Sequence, residues 1–209
     1  MTKKNKSGTK SRSGLISAPD YIHPDWHDCI FVNKNDLIEK SIKPLLKHIE
    51  ANSYSDPNHQ DRTICDLKGQ KAVLLEQGDV YDWHSDSFSF SNRVLRNPRP
   101  GRYWTHIIYL TKGKPLEIGN WNPSGILGAD FDYPEPSSII ARIYPSPGKT
   151  VIFPCFMVHR IQPTVDNHRW TFVDFVTVMK YNTISSSEYI TLAKRYFNED
   201  FRSELLPSR

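Results

Sequence analysis

Residues 150–172, TVIFPCFMVHRIQPTVDNHRWTF, contain two runs of β-branched and aromatic residues separated by a polar turn. Runs of this kind, bounded by Pro, Asn and Asp, are typical of β-strands. His159 ends the first run, and Arg169 opens the second. The stretch therefore predicts two consecutive strands, one with a candidate metal ligand and the other with a permanent positive charge.

Five similar runs precede this stretch, and no helical pattern separates them. The seven predicted strands lie near 71–77, 80–86, 102–111, 115–121, 139–145, 150–161 and 169–179. Seven strands without intervening helices predict an antiparallel sandwich or barrel. One helix is expected on each side of the strands. Apolar residues in 35–50 recur at helical spacing, although Pro44 must kink or restart that helix, and a capping box from Ser185 to Glu188 opens a helix over 185–201.

Two of the connections between the strands, 87–101 and 122–138, are longer than ordinary hairpin loops. Long loops on a β-scaffold often carry function, so we expect them to border a substrate site. Aromatic residues that belong to these loops or border them either pack the loops or line a substrate groove. They are Phe88, Phe90, Trp121, Phe131 and Tyr133.

The composition favours a soluble globular body with a basic tail. Hydrophobic residues make up 38% of the 209 residues and charged residues 24%, which is enough apolar material for a core. No apolar stretch is long enough to span a membrane, and three cysteines without a CxxC pair argue against disulfides, so we expect a cytoplasmic protein.

The basic residues are concentrated at the N-terminus. Residues 1–14 carry five cations and no acid, whereas the whole chain has a net charge of +4, so the remainder carries −1. We expect a disordered tail over 1–14, with an anchor for nucleic acid as the alternative interpretation. We expect a single domain over 15–209, with its core at 70–180.

The tripeptide His84-Ser85-Asp86 ends a predicted strand. Because side chains alternate along a strand, its first and third residues face the same side and can bind one ion. The spacing alone is weak, since His23-Pro24-Asp25 shares it. That second tripeptide contains a proline and precedes the first helix, so we interpret it as a turn.

His159 adds a third ligand from another strand. Two imidazoles and one carboxylate on one side of a metal leave the other side open, which suits non-haem Fe(II) with a cosubstrate and O₂, although zinc or manganese would also fit. Arg169 adds a planar charged group that can bind a distal carboxylate. A zinc site built from Cys155 and His159 is not expected, because no further cysteine is close in sequence.

Four motifs follow one another between residues 70 and 180. They are Gly78-x-x-Tyr81-x-x-His84-x-Asp86, Thr105-x-x-x-Tyr109-Leu110, Gly119 before an aromatic strand end, and Pro147-Gly148-x-x-x-x-Phe153-Pro154-x-x-x-x-His159-x-x-x-Pro163-x-x-x-x-x-Arg169. In this order and spacing they resemble the 2-oxoglutarate- and Fe(II)-dependent dioxygenases, most closely the prolyl-hydroxylase-like branch.

The resemblance implies a mainly β fold, a double-stranded β-helix or jelly roll with flanking N- and C-terminal helices. The implied site residues are the catalytic iron ligands His84, Asp86 and His159 and the 2-oxoglutarate-binding residues Arg169, Tyr109 and Tyr81. The implied cofactors are Fe(II), 2-oxoglutarate as cosubstrate and O₂, with ascorbate as a further candidate. The implied reaction hydroxylates a C–H bond of a peptidyl residue, proline or another, or of a small molecule, and releases succinate and CO₂.

Several alternatives stay open beside this interpretation. A jelly-roll module could bind a metal without catalysis, although the three ligands together with Arg169 argue against it. The nucleic-acid dealkylases of the superfamily carry a second arginine where this chain has Phe175, so nucleic acid is expected only through the tail. Tyr109 could be a core aromatic residue, and we interpret His106 and His168 as structural or surface residues.

Overall fold

Antiparallel strands form most of the described part of the chain. This computed structural model describes residues 19–57, 59–67, 70–75, 81–91, 94–96, 99, 102–125, 133–161, 169–176 and 186–198. In chain order the strands are β1 (Tyr21–Ile22), β2 (Phe31–Lys34), β3 (Tyr54–Asp56), β4 (His59–Leu67), β5 (Gln70–Leu75), β6 (Tyr81–His84), β7 (Ser89–Ser91), β8 (Val94–Arg96), β9 (Trp104–Tyr109), β10 (Leu116–Gly119), β11 (Ile139–Ile143), β12 (Lys149–Pro154), β13 (His159–Ile161) and β14 (Arg169–Val176). A 3₁₀ helix at Pro24–Trp26 and the α-helices α1 (Asp36–Asn52) and α2 (Ser186–Tyr196) complete the described elements.

The strands form two large sheets and one small hairpin. The seven-stranded sheet has the order β2-β12-β9-β14-β5-β4-β3, the five-stranded sheet has the order β1-β11-β10-β13-β6, and β7 pairs with β8. The chain crosses between the two large sheets several times, for example from β12 to β13 and from β13 to β14. This arrangement confirms the predicted mainly β jelly roll with helices flanking the strands.

Strand alternation gives the seven-stranded sheet two apolar faces. On one face, Ile107 and Tyr109 of β9 join the main core together with residues of the five-stranded sheet and of α2. On the other face, Leu110 and Trp170 pack with Ile42 of α1 in a second cluster. The apolar stripe predicted for 35–50 is therefore confirmed as the face of α1 that covers the sheet, and the helix continues through Pro44 rather than restarting there.

The predicted strand at 150–161 is wrong as a single element. β12 ends at Pro154, the chain turns at Cys155–Val158 with Met157 N–H donating to the Pro154 carbonyl at 3.0 Å, and β13 begins at His159 in the other sheet. Pro154 has no N–H for a further ladder bond, which favours the end of a strand. His159 therefore begins a strand of the five-stranded sheet and does not end a long one.

The structure also contains strands that the sequence did not indicate. β1 to β4 precede the first predicted strand, and the predicted loop 87–101 contains the hairpin of β7 and β8. β1, β2, β3, β7 and β8 have two to four residues each, too short for a period-two pattern to be recognised. The tripeptide at 23–25 forms the start of the 3₁₀ helix, in agreement with the predicted turn.

The three cysteines are free and buried, in agreement with the prediction of no disulfide framework. None of the helices in the described part of the chain is long and apolar enough to cross a membrane. The predicted tail at 1–14 lies outside the described residues, and the predicted single domain over 15–209 stays a prediction.

Candidate metal centre

Two histidines face each other across neighbouring strands. His84 is the last residue of β6, His159 is the first residue of β13, and the two are partners in the antiparallel ladder. Their ring centroids are 4.2 Å apart. The five-stranded sheet therefore brings together two candidate ligands that are 75 positions apart in the sequence, and their role as metal ligands stays a prediction.

Asp86 lies just beyond the end of β6 and is held against the turn that precedes His159. Its backbone N–H donates to the Cys155 carbonyl at 3.1 Å, and the Ser85 hydroxyl donates to the same carbonyl at 2.8 Å. These bonds place Asp86 Oδ1 3.9 Å from His84 Nε2 and Asp86 Oδ2 3.5 Å from His159 Nε2. One ligand atom from each of the three side chains lies within 4.8 Å of the others, so the group could hold a metal ion.

Backbone carbonyls orient both imidazoles. His84 Nδ1 lies 2.7 Å from the Asp82 carbonyl, and His159 Nδ1 lies 3.0 Å from the Met157 carbonyl. Because a carbonyl only accepts hydrogen bonds, each Nδ1 carries the proton and donates it. Each Nε2 then keeps a lone pair directed towards the group, which is the arrangement found in metal-binding histidines.

The Asp86 carboxylate is buried, and the guanidinium of Arg102 contacts the backbone carbonyl of this residue. Its side chain is 9% exposed, and among the described residues no lysine or arginine forms an ion pair with its carboxylate. Its polar contacts there are the two imidazoles and the Thr105 hydroxyl, which donates to Oδ2. A buried carboxylate is costly without a counter-charge, so this donor set fits a cation bound from outside the chain.

Cys155 lies beside this group, next to Thr105. Its Sγ is 3.3 Å from the Thr105 hydroxyl. Burial raises the pKa of the Cys155 thiol far above its usual range, and the negative charge of Asp86 acts in the same direction.

Two of the predicted 2-oxoglutarate residues, Tyr109 and Arg169, lie on the neighbouring strands β9 and β14. Tyr109 is fully buried in the main core, and it lies opposite Thr171 of β14. Arg169 opens β14 opposite Leu75, two residues before Thr171, but its side chain and that of Tyr81 lie outside the described part of the structure.

His106 and His168 are the two histidines that we interpret as structural or surface residues. His106 lies opposite Ile152 and Asp174, outside the metal-binding group. His168 is not among the described residues.

The described aromatic residues of the two long loops pack against the core. Phe88 and Trp121 both contact Phe197 after α2, and Phe90 packs edge-on against Trp121 with ring centroids 4.9 Å apart. The Tyr133 hydroxyl donates to the Phe88 carbonyl and so connects the two loops. The structure favours packing over a groove-lining role for these residues, and Phe131 lies outside the described ranges.

A second buried carboxylate was missed in the sequence. Glu117 of β10 is 1% exposed; Arg142 Nη2 lies 2.8 Å from its Oε1, and Arg160 Nε lies 2.8 Å from its Oε2. The Arg160 guanidinium also stacks over the Trp83 ring at 4.5 Å. The available signal was an acid between two apolar strand residues, Leu116 and Ile118, which suggests burial and hence a paired charge.

Thr105 and Arg102 were also missed as parts of the site. The sequence marks Thr105 only as part of a motif, and it gives no indication that Arg102 belongs to the site. Arg102 Nη1 donates to the Asp86 carbonyl at 3.5 Å. Neither contact could be derived from spacing, because both depend on how the segment after Asp86 returns to β9.

The sequence model of the 2OG-Fe(II) oxygenase superfamily, where 2OG is 2-oxoglutarate, matches residues 70–177. No curated protein matches the sequence. The chain is similar to a solved oxidoreductase of the 2OG-Fe(II) oxygenase family from Burkholderia pseudomallei, with 14% identity, a TM-score of 0.34, and 51% of this chain and 40% of that chain covered. The chain therefore spans less than half the length of that protein.

Two further solved structures to which the chain is similar are prolyl hydroxylases. One is the Pseudomonas putida prolyl-4-hydroxylase, with 12% identity, a TM-score of 0.46, and 70% of this chain and 90% of that chain covered. The other is a viral collagen prolyl hydroxylase from Paramecium Bursaria Chlorella virus-1, with 11% identity, a TM-score of 0.46, and 70% and 93% covered. The family match covers more than half of the sequence, and the chain belongs to the 2OG-Fe(II) oxygenase superfamily.

Proposed function

We propose that this protein is an Fe(II)- and 2-oxoglutarate-dependent hydroxylase. Its substrate would be a peptidyl residue, proline or another, or a small molecule, with succinate and CO₂ as co-products. The observation that carries the proposal is the group of His84, Asp86 and His159, whose ligand atoms lie within 4.8 Å of one another. Membership of the superfamily supports the same reaction class.

The three side chains would hold Fe(II) on one side and leave the other side for reactants. When bound, Fe(II) would activate O₂, the oxidant, and 2-oxoglutarate would supply two electrons on conversion to succinate and CO₂, so that one oxygen atom enters succinate and the other the C–H bond. Asp86 supplies the negative charge, and the backbone carbonyls fix both imidazoles with Nε2 towards the ion. The His84 side chain is 23% exposed and that of His159 only 5%, so the site opens to solvent on the His84 side.

Arg169, Tyr109 and Tyr81 are the residues that we propose for the cosubstrate. A guanidinium binds a carboxylate bidentately, and a tyrosine hydroxyl can donate a further hydrogen bond to the same carboxylate. The strand register supports the pairing, since Arg169 precedes Thr171 by two positions and Thr171 lies opposite Tyr109. Ascorbate is proposed as an accessory reductant, and the cytoplasm as the location.

The test is to add Fe(II) and 2-oxoglutarate to the purified protein without oxygen. We expect the weak visible absorption band that the two give when they bind together, followed by succinate release once O₂ and a peptide substrate are supplied. A protein that binds the metal but gives neither band nor succinate would be a non-catalytic jelly-roll module, and the proposal would be wrong.

Arg169→Ala tests the cosubstrate assignment separately. We expect the 2-oxoglutarate concentration at half-maximal band intensity to rise at least about tenfold, since a charged hydrogen-bonded pair is lost. Fe(II) affinity without 2-oxoglutarate should stay unchanged. If both values equal those of the unmodified protein, Arg169 does not bind the cosubstrate.

A further inference from the structure

Positive charge is concentrated in one stretch beside the metal-binding group. No Asp or Glu occurs from residue 87 to residue 116, although 23 of the 209 residues are acidic. From residue 93 to residue 102 every third position is an arginine, namely Arg93, Arg96, Arg99 and Arg102, and Lys112 and Lys114 follow. We call residues 87–102 the arginine segment.

Both ends of the arginine segment lie at the metal-binding group. The segment begins directly after Asp86, and at its far end Arg102 Nη1 donates to the Asp86 carbonyl at 3.5 Å. Three residues later, the Thr105 hydroxyl donates to the Asp86 carboxylate. Both described ends of the segment therefore lie next to the metal-binding group.

Two exposed arginines lie within reach of the site. Arg96 pairs with Ser89 in the β7–β8 hairpin, and Ser89 is three positions after Asp86. Three residues span at most about 11 Å and a ladder pair about 5 Å, which places the Cα of Arg96 within about 16 Å of that of Asp86. Arg99 is three positions from Arg102, so the same limit of about 11 Å applies to that pair.

The aromatic residues at the base of the segment distinguish between two kinds of anionic partner. Single-stranded nucleic acid is bound by basic grooves that also expose aromatic rings for base stacking. Phe88 and Phe90 are 3% and 4% exposed and are covered by Phe197 and Trp121. Phe88 and Phe90, the described aromatic residues of the segment, thus offer no stacking surface beside its charges, which favours an acidic peptide.

We propose that Arg96 and Arg99 bind acidic side chains that flank the target residue of a peptide substrate. This inference rests on the proposed hydroxylase function and adds the charge of its substrate. The exposed guanidinium groups attract the acidic flanks and so hold the peptide next to the side of the site that opens at His84.

The probes are two fluorescent peptides with a central proline, flanked by glutamates in one and by lysines at the same positions in the other. Binding is measured by anisotropy with the full chain, Fe(II) and 2-oxoglutarate in the absence of oxygen. The variant is the double change Arg96→Ala and Arg99→Ala. The matched control is Lys112→Ala with Lys114→Ala, which removes the same charge from two exposed positions beyond the far end of β9.

The control positions are well separated from the site. Thr105 lies near the start of β9, about 13 Å of strand separates it from the last strand residue, Tyr109, and Lys112 follows three residues later. A general attraction between protein and peptide would respond equally to both double variants, whereas a local contact responds only to the arginine pair.

We expect the glutamate peptide to bind at least about tenfold more tightly than the lysine peptide. The arginine double variant should weaken glutamate-peptide binding about fivefold, the size expected for two exposed ion pairs, and the lysine control less than about twofold. Equal affinity for the two peptides, or equal losses in the two double variants, would overturn the inference.

A short single-stranded RNA serves as the competing partner. If it binds more tightly than the glutamate peptide and depends on the same two arginines, the partner is a nucleic acid and the peptide assignment is wrong. The absorption band of Fe(II) with 2-oxoglutarate separates this failure from failure of the proposed function. A band without peptide discrimination rejects only the docking surface, whereas absence of the band in the unmodified protein rejects the hydroxylase itself.

Discussion

The two faces of the five-stranded sheet each carry a buried carboxylate and balance its charge in different ways. His159 and Arg160 are consecutive in β13, so their side chains point to opposite faces. On the core-facing side, Asp86 meets two imidazoles and a hydroxyl. On the other side, Glu117 meets the guanidinium groups of Arg142 and Arg160.

The difference distinguishes a carboxylate that stabilises the sheet from a carboxylate that can bind an ion. Glu117 is compensated by permanent cations of its own chain, and these contacts connect β10 to β11 and β13. The Asp86 carboxylate, almost as deeply buried, contacts two imidazoles and a hydroxyl and forms no ion pair with an arginine or lysine of the described residues, since Arg102 donates to the backbone carbonyl. A buried carboxylate of this kind is stable when a cation from outside is bound, so we infer that the core-facing group has the composition of an ion-binding site.

The largest effect is expected from removing a ligand on the core-facing side. His159→Ala should abolish turnover and lower Fe(II) affinity more than about a hundredfold, because even changes outside a ligand set cost up to that much. Equilibrium dialysis without oxygen measures the affinity, and circular dichroism checks that the fold is intact.

His106→Ala is the matched control, since His106 lies in β9 outside the metal-binding group. It should retain the Fe(II) affinity of the unmodified protein. Tight Fe(II) binding by His159→Ala would remove His159 from the proposed ligands.

The next effect concerns the other face and affects stability, not metal binding. Glu117→Gln leaves two arginines without their carboxylate, and losing one partner of a buried pair costs about 3–5 kcal/mol. Because Arg142 is 41% exposed and can turn towards water, we expect a value near the lower limit. Urea unfolding measures the loss. A Glu117→Gln protein as stable as the unmodified one would show that the pair is not structural.

The same two faces show what the sequence can and cannot predict. His84, Asp86 and His159 could be predicted because strand alternation and motif spacing are local signals. The partners of Glu117 could not, since they lie 25 and 43 positions away and are brought opposite it only by the register of three strands. Register depends on the whole sheet and not on one segment.

The predicted fold class is confirmed because most strands have local sequence signals. The predicted boundary at 150–161 is wrong because the end of that strand has almost none. Long apolar runs such as 102–111 indicate strands by themselves, whereas the break at Cys155–Val158 occurs within a continuous apolar run. Nothing in that run marks the transfer from one sheet to the other except Pro154. The contact of Thr105 with Asp86 likewise could not be predicted from the sequence, since it joins β9 to a residue two positions after the end of β6.

A smaller effect is expected at the hydroxyl that contacts Asp86. Thr105→Val keeps the shape of the side chain and removes the bond to Oδ2, so the carboxylate is less firmly oriented. We expect Fe(II) affinity to fall about tenfold, within the range found for such supporting contacts. Thr105→Ser restores the hydroxyl and should restore the affinity. Equal affinities in all three proteins would mean that Thr105 only packs.

The most direct test of the inferred difference between the two faces is the stability of Asp86→Asn with and without Mn(II). Without metal, we expect this variant to lie within about 1 kcal/mol of the unmodified protein or above it, because it removes an uncompensated buried charge. With Mn(II) at a hundred times its dissociation constant, the unmodified protein should gain about 2.7 kcal/mol, and Asp86→Asn should gain little. A metal-free Asp86→Asn protein that loses as much stability as Glu117→Gln would show that the chain already balances Asp86, and would contradict the account.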